Sequence, residues 1–258
     1  MDIEHYNINE EQAKFSSDPS ERGKYKIVNK GFYANILTLG LRNTHPINSY
    51  HVDAAVEQHK ELVKLNLTAN YHFAYKKHGT GLDIRFFVGR FLYNKDEPKN
   101  SRFNYNLSGG QASDYLYNEI FLGRNTTERA FNQQFSVTDG GFKNLVLAET
   151  DGQFIAANKW LNAVNLKSNF INKYISFYAD LGLVGTISRD ENNNEIDKVS
   201  DLAYDIGVSL NVIPNMFEIY FPFTTSSELN QLSYLETIRF TLNINTLNPL
   251  KLVRDFQF

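Results

Sequence analysis

The chain has 258 residues, of which 42% are hydrophobic, 21% charged and 14% aromatic, and its formal net charge at pH 7 is -3. It contains no cysteine, which excludes a disulfide scaffold, a thiol nucleophile and any cysteine-ligated metal site. The near-neutral charge balance does not supply the basic face that nucleic-acid binding requires, so we expect no nucleic-acid partner.

The amino-terminal stretch over 1–23 is polar and acidic and lacks the apolar core of a secretory signal. We therefore predict an exposed leader or linker over 1–23 and one β-region over 24–258. If the chain is exported, its signal has to precede residue 1. The chain is then expected to be part of a longer polypeptide.

Alternation of apolar and polar residues dominates the remaining chain, and this period of two predicts β-strands. Over 63–75 one face consists of Val63, Leu65, Leu67, Ala69, Tyr71, Phe73 and Tyr75, and the other of Lys64, Asn66, Thr68, Asn70, His72 and Ala74. Segments 175–183, 202–212 and 237–245 repeat the pattern. The predicted strands are 32–42, 50–57, 62–76, 81–93, 102–109, 131–138, 142–149, 158–168, 174–184, 202–213, 216–223 and 237–246.

Several of these segments are longer than the ~5–6 residues of an ordinary strand and reach the ~9–11 residues that cross a bilayer. Their polar faces carry Asp, Arg, Lys and Asn, which suit a wet barrel interior, and aromatic residues cluster near strand ends, as in interfacial girdles. The predicted fold class is therefore all-β, an antiparallel transmembrane β-barrel with about ten to twelve strands in this chain.

A soluble β-sandwich or β-barrel that binds an apolar ligand is the alternative fold and function. It predicts that Val63, Leu65 and Leu67 point into a cavity, and that Lys64 and Asn66 point to water. The two predictions therefore differ in which face of the strands is buried.

Connection lengths favour the membrane prediction, because short turns at one end and long loops at the other are typical of outer-membrane barrels. The shorter predicted connections are 58–61, 139–141, 169–173 and 214–215. The longer ones are 43–49, 110–130, 150–157, 185–201 and 224–236, while 77–80 and 94–101 break the trend. We predict a long inserted loop over 110–157.

Within this loop, residues 121–131 read Phe-Leu-Gly-Arg-Asn-Thr-Thr-Glu-Arg-Ala-Phe. The segment resembles a loop of the bacterial surface antigen, or outer-membrane assembly factor, barrels. That loop reads approximately Tyr-Leu-Gly-Gly, several residues, then Arg-Gly-Phe, and it folds back into the barrel. Arg129 and Phe131 match the Arg and Phe of the motif, whereas Arg124 and Ala130 stand where the family has glycine.

Residues 177–182, Phe-Tyr-Ala-Asp-Leu-Gly, resemble the family's aromatic-x-x-Asp-x-Gly signature, and five predicted strands follow Ala157. In that family an inward acidic residue holds the loop arginine, so the resemblance implies an Arg129–Asp180 pair. It also implies a lumen loop anchor of Arg129, Phe131 and Asp180. The family's barrel closes with sixteen strands, so this chain is expected to supply a carboxy-terminal part.

A second resemblance extends from about residue 24 onward. The phrases at 81–87, 158–161, 218–222 and 238–241 are similar to a carboxy-terminal region that follows the catalytic part of gluzincin, or alanyl-aminopeptidase-type, metallopeptidases of some Gram-negative bacteria. The implied function is a non-catalytic outer-membrane β-barrel that anchors or exports an upstream domain. Its partners would be outer-membrane lipid and that domain, which in a longer protein could be a zinc metallopeptidase.

No catalytic or metal-binding motif is found in this chain itself. A gluzincin needs His-Glu-x-x-His, and the chain has no His-Glu dipeptide and no histidine pair at helical spacing. Asp83 and Arg85 lie on the polar face of a predicted strand and are interpreted as lumen charges. We therefore expect no enzyme activity, catalytic residue, metal or cofactor in this chain.

Overall fold

The computed structural model of this chain describes residues 1–15, 25–45, 47–76, 79–95, 101–110, 113–122, 133–144, 156–189, 195–213, 216–226 and 234–243. Its strands are β1 (Asp2–Phe15), β2 (Tyr25–Asn43), β3 (Asn48–Gln58), β4 (Leu62–Ala74), β5 (Gly81–Asn94), β6 (Tyr105–Asn106), β7 (Ala156–Ala157), β8 (Trp160–Asn172), β9 (Ile175–Arg189), β10 (Glu195–Val199), β11 (Ala203–Ile213), β12 (Phe217–Thr225) and β13 (Arg239–Leu242). A short 3-10 turn at Ser101–Phe103 and one short helix, α1 (Tyr234–Thr237), complete these elements.

One 11-stranded sheet contains nearly all of this structure, and its strands are paired antiparallel. The strand order is β1-β2-β3-β4-β5-β8-β9-β11-β12-β13, with β10 pairing to β9, and β6 and β7 form a separate two-stranded sheet. The all-β, antiparallel part of the fold prediction is therefore confirmed. The described part of the chain holds no helix with the length and apolar character that a membrane crossing requires.

Two parts of the chain differ from the sequence-based expectation. Residues 2–15 of the predicted leader form strand β1, which pairs with β2 from Asp2↔Thr38 to Phe15↔Tyr25, because backbone pairing does not require an apolar face. The predicted strands at 102–109, 131–138 and 142–149 do not form long strands in their described residues. Only β6 and isolated bridges at Gly109, Gln134 and Ser136 appear there, while 131–132 and 145–149 lie outside the described residues.

The apolar face of the sheet is exposed and its polar face is buried. On β4 Leu65 and Leu67 are 38% and 41% exposed, whereas Lys64 between Val63 and Leu65 is 2% exposed. On β11 Ile206 is exposed and Asp205 is fully buried. We call the two sides the outward face and the inward face. The orientation predicted by the soluble alternative is wrong, because it placed Leu65 and Leu67 inside and Lys64 in water.

The two ends of the sheet differ in the length of their connections. Segments 44–47, 75–80, 173–174 and 214–216 join strands at one end, which we call the short-turn end. Segments 16–24, 59–61, 95–159, 190–202 and 226–238 join strands at the other end, which we call the long-loop end. All connections at the long-loop end except 59–61 are longer than any connection at the short-turn end.

The longest connection folds back onto the inward face. We call its described residues 101–110, 113–122 and 133–144 the inward segment. Near the long-loop end it forms one apolar core with the sheet, whose buried members are Leu62, Phe87, Phe91, Phe103, Tyr105, Leu107, Phe142, Ala157, Leu161, Ala163, Val184 and Ala203. A Cβ at Gly182 of β9 would lie 2.6 Å from Leu107 Cδ2 and 2.9 Å from Phe142 Cε2, so the close approach needs glycine there.

Candidate functional site

A continuous row of polar side chains crosses seven strands on the inward face. Its members stand in direct register from β2 to β11, and we call them the polar row: Arg42, His51, Asn70, Arg85, Asn165, Asp180 and Asp205. Because the register is staggered, the row begins at the short-turn end of β2 and reaches the long-loop end of β11. Its cations lie on β2 and β5, and its carboxylates lie on β9 and β11.

The acidic half of the row is covered by the inward segment. Asp180 is fully buried and accepts hydrogen bonds from Lys143 Nζ at 2.8 Å, from the Lys143 backbone N–H at 3.0 Å and from Asn165 Nδ2 at 2.9 Å. Asp205, also fully buried, accepts the Asn144 backbone N–H at 2.8 Å. These donors replace the water that each carboxylate loses on burial.

The basic half of the row has different partners. Arg85 donates from Nη1 to Asn165 Oδ1 at 2.8 Å and from Nη2 to the Asp139 carbonyl oxygen at 2.6 Å. Arg42 donates from Nε to His51 Nε2 at 3.0 Å. Within the described residues neither guanidinium has a carboxylate oxygen within 4.0 Å.

Asp139 fixes the turn of the inward segment that receives Arg85. Its φ of 44° lies in the left-handed region, which Asp tolerates better than most residues, and its Oδ2 accepts the Asn106 N–H at 3.1 Å. Burial raises the pKa of the Asp139 carboxyl above its usual range, while Lys64 and the Asn106 N–H act in the opposite direction. The hydrogen bond from Asn106 thus holds Asp139 in place, while burial makes the ionised form of its carboxyl less favourable.

A cavity of about 760 Å³ opens over the basic half of the row, towards the short-turn end. Arg42, His51, Asn70 and Arg85 line it, together with Lys143 of the inward segment. On its far wall Lys167 Nζ contacts both Glu218 oxygens, at 2.7 and 2.6 Å. Because β8 and β12 are separated by β9 and β11, this contact shows that the sheet is strongly concave.

A second buried polar cluster holds the inward segment at the long-loop end. Lys64 Nζ donates to Tyr115 OH at 3.0 Å, and Glu57 accepts from Tyr115 OH and contacts His59 Nε2. Lys64 Nζ also lies 4.5 Å from the centroid of the Tyr105 ring. Burial, and then the neighbouring Glu57 charge, raise the pKa of the Tyr115 hydroxyl well above its usual value. The neutral Tyr115 hydroxyl therefore donates to Glu57 on β3 and accepts from Lys64 on β4, which ties the inward segment to both strands.

The structure places the predicted site residues as follows. Asp83 and Arg85 both lie on the inward face and line the cavity, with Asp83 Oδ1 2.6 Å from His72 Nδ1. Asp180 is buried and bound to Lys143. Arg129 and Phe131 lie outside the described residues, so the Arg129–Asp180 pair stays a prediction.

Sequence reasoning missed Lys143, Asn165 and Asp205. Asn165 and Asp205 stand on the polar faces of predicted strands, where the alternation could have identified them. No local pattern marks Lys143, because its role depends on a chain reversal that brings it to Asp180 across 37 positions of sequence.

The described residues contain no group of three or more His, Asp or Glu side chains that could hold a metal ion. Comparison with known proteins found no matching family model, no matching curated protein and no matching solved structure.

Proposed function

We propose that this chain is the non-catalytic β-barrel region of an outer-membrane protein of the surface antigen type, which anchors or exports an upstream domain. The observation that carries the proposal is the inverted burial of neighbouring residues on β4, where Lys64 is 2% exposed while Leu65 and Leu67 are 38% and 41% exposed. A water-soluble sheet has the opposite arrangement, because burial of apolar surface drives its folding.

Lipid contact explains the outward face. Exposed large apolar side chains recur on β2, β4, β5, β9, β11 and β12, for example Leu39, Leu67, Val88, Phe177, Ile206 and Phe223. An exposed apolar surface of this extent is unfavourable in water, and it is the surface that a membrane strand presents to acyl chains. The strands are also long enough, since β4 has 13 residues and β5 has 14.

The asymmetry of the two ends supports a barrel with a defined orientation. Outer-membrane barrels place short turns on the periplasmic side and longer loops outside. The short-turn end would then face the periplasm and the long-loop end the exterior. A closed barrel would also leave no exposed sheet edge, and we propose closure, with further strands, on this ground.

The upstream domain and its identity as a zinc metallopeptidase rest on sequence resemblance alone. On the acidic side of the described inward face the polar groups are engaged with one another, as in the hydrogen bonds that Asp180 accepts from Lys143 and Asn165. We therefore assign the chain a structural role in the membrane rather than a chemical reaction.

The test compares the same substitution on the two faces of one strand. We expect Leu67→Arg, at the middle of the outward face of β4, to reduce insertion of the chain into lipid vesicles strongly, since arginine at the bilayer midplane costs about 2–4 kcal/mol. His72→Arg, on the inward face of β4 beside Asp83, should insert like the parent chain. Insertion is measured by protease protection and by recovery of the protein with floated vesicles.

Two results would contradict the membrane proposal. One is a parent chain that stays monomeric in water without detergent or lipid and does not float with vesicles. The other is a Leu67→Arg variant that inserts as well as His72→Arg.

A further inference from the structure

The polar row carries opposite charges on its two sides. The inward segment buries the acidic side, whereas on the basic side it contacts Arg85 through the Asp139 carbonyl oxygen and leaves the cavity open. Asp180 and Asp205 on β9 and β11 are fully buried beneath Lys143 and Asn144. Arg42 and Arg85 on β2 and β5 line the open cavity. The inward segment enters from the long-loop end, and the staggered register brings Asp205, the last member of the row, close to that end.

Covering the acidic side removes its carboxylates from the cavity. Asp180 receives an ammonium, a backbone N–H and an amide N–H, and Asp205 receives a backbone N–H. Three donors leave Asp180 little capacity for a ligand, and Asp205 is fully buried and does not line the cavity. Lys143 does line the cavity, but its ammonium group is paired with the carboxylate of Asp180.

The basic side keeps unused binding capacity. Arg85 has bonds to an amide oxygen and a carbonyl oxygen, and Arg42 has one to an imidazole, so neither guanidinium is paired with a carboxylate among the described residues. A guanidinium has five N–H donors in a planar fork that suits carboxylate and phosphate oxygens. Asn70 lies between the two arginines in the row and adds an amide N–H donor group to the cavity wall.

The basic side also has one carboxylate nearby, since Asp53 Oδ2 lies 2.7 Å from His51 Nε2, so two guanidiniums stand beside one carboxylate that contacts the imidazole. Lys167 and Glu218 neutralise each other. Asp83 is paired with His72, and its side chain is 60% exposed, at the rim rather than in the interior. The cavity volume of about 760 Å³ also lies within the range of about 300–1,000 Å³ that small-molecule sites have.

We propose that this cavity is a binding site for a small organic anion that carries carboxylate or phosphate groups, held by Arg42 and Arg85. The proposal goes beyond the membrane function and does not depend on it, since it requires only the inward face and the inward segment. A ligand with groups of this kind would bind the two guanidiniums that have no carboxylate partner among the described residues.

The experiment is calorimetric titration of the full-length chain, folded in detergent, with citrate at low ionic strength. Spermidine, a polycation, is the opposite-charge probe. We expect citrate to bind and spermidine not to bind. Arg42→Gln and Arg85→Gln should each weaken citrate binding by about tenfold to a hundredfold, the loss expected for a hydrogen bond to a charged group.

Arg90→Gln is the matched control, because Arg90 is an exposed arginine of β5 on the outward face. It should change citrate affinity by less than about twofold. Arg42 is exposed and has a single described partner, so Arg42→Gln tests the site even if Arg85→Gln fails to fold.

The proposal is overturned if citrate does not bind, if spermidine binds as well as citrate, or if Arg90→Gln weakens citrate binding as much as Arg42→Gln. Each of these results leaves the membrane proposal intact, because that proposal is tested by vesicle insertion and not by ligand affinity.

Discussion

At the long-loop end the inward face is packed with aromatic and aliphatic side chains, whereas nearer the short-turn end the same face is charged and borders a cavity. Phe87 and Phe91 lie in the first region, and Arg85 lies in the second, although all three stand on the inward face of β5. The inward segment contacts both regions, through Tyr105 and Phe142 in the first and through Lys143 in the second.

The inward face is therefore not uniformly polar. Where the inward segment covers the sheet with apolar residues, burial of apolar surface stabilises the contact without directional requirements. Where it covers the sheet with polar residues, each buried group needs a partner of the right kind. The polar region should therefore be more sensitive to loss of a single partner.

The largest expected effect is in the polar region, for Lys143→Ala. Removing the ammonium leaves Asp180 buried without its cation, and breaking a buried ion pair on one side costs about 3–5 kcal/mol. We expect the free energy of unfolding, measured by urea titration in lipid vesicles, to fall by about that amount.

The double variant Lys143→Ala with Asp180→Asn is the control. Because the buried charge is then absent, it should recover a large part of the loss. If Lys143→Ala alone costs less than about 1 kcal/mol, the polar region is not held by this pair.

In the apolar region we expect a smaller effect for Gly182→Ala. The new Cβ would lie within 2.6–2.9 Å of Leu107 and Phe142, and overpacking of this kind costs about 1–3 kcal/mol. Gly110→Ala in the inward segment is the matched control, since a Cβ at Gly110 meets nothing within 4 Å. Equal urea midpoints for the two variants would show that Gly182 is not at a close contact.

The pH dependence of stability gives a third prediction, for Asp139. Burial raises its pKa in the folded state, so the folded protein binds more protons than the unfolded chain between the two pKa values. Stability from this group is therefore greatest at low pH and decreases as pH rises through the folded-state pKa. Asp139→Asn should remove this decrease, because an amide does not ionise and still accepts the Asn106 N–H.

The measurement for Asp139 is the urea midpoint of the parent chain and of Asp139→Asn at a series of pH values. The stability of the parent chain relative to the variant should decline with increasing pH. A difference that is constant over the series, or that grows in favour of the parent chain, would contradict the raised pKa.

The smallest effect is expected for Lys159→Ala. Lys159 Nζ lies 2.5 Å from Asp197 Oδ2, closer than Lys143 to Asp180, but the two side chains are 31% and 63% exposed. Because exposed ion pairs contribute about 0–1 kcal/mol, the urea midpoint should hardly change. A loss as large as that of Lys143→Ala would mean that burial does not decide the strength of these pairs.

Much of the sheet was predictable from local pattern. Strands β4, β5, β8, β9 and β11 appear close to their predicted positions, and β4, β9 and β11 alternate between apolar and polar residues over most of their length. Strand β1 was missed since its pairing with β2 uses backbone groups that every residue has. In the candidate site, Asp83, Arg85 and Asp180 lie on the inward face, whereas the contact of Lys143 with Asp180 has no signal in the sequence.

Which side chains share a face follows from the sequence, because the direction of a strand side chain depends only on its position along the chain. The tertiary structure was needed to show which strands are neighbours, that residues from Arg42 to Asp205 form one row, and that the inward segment buries the acidic side of this row. These features depend on register and on contacts between residues far apart in sequence, for which local alternation carries no information.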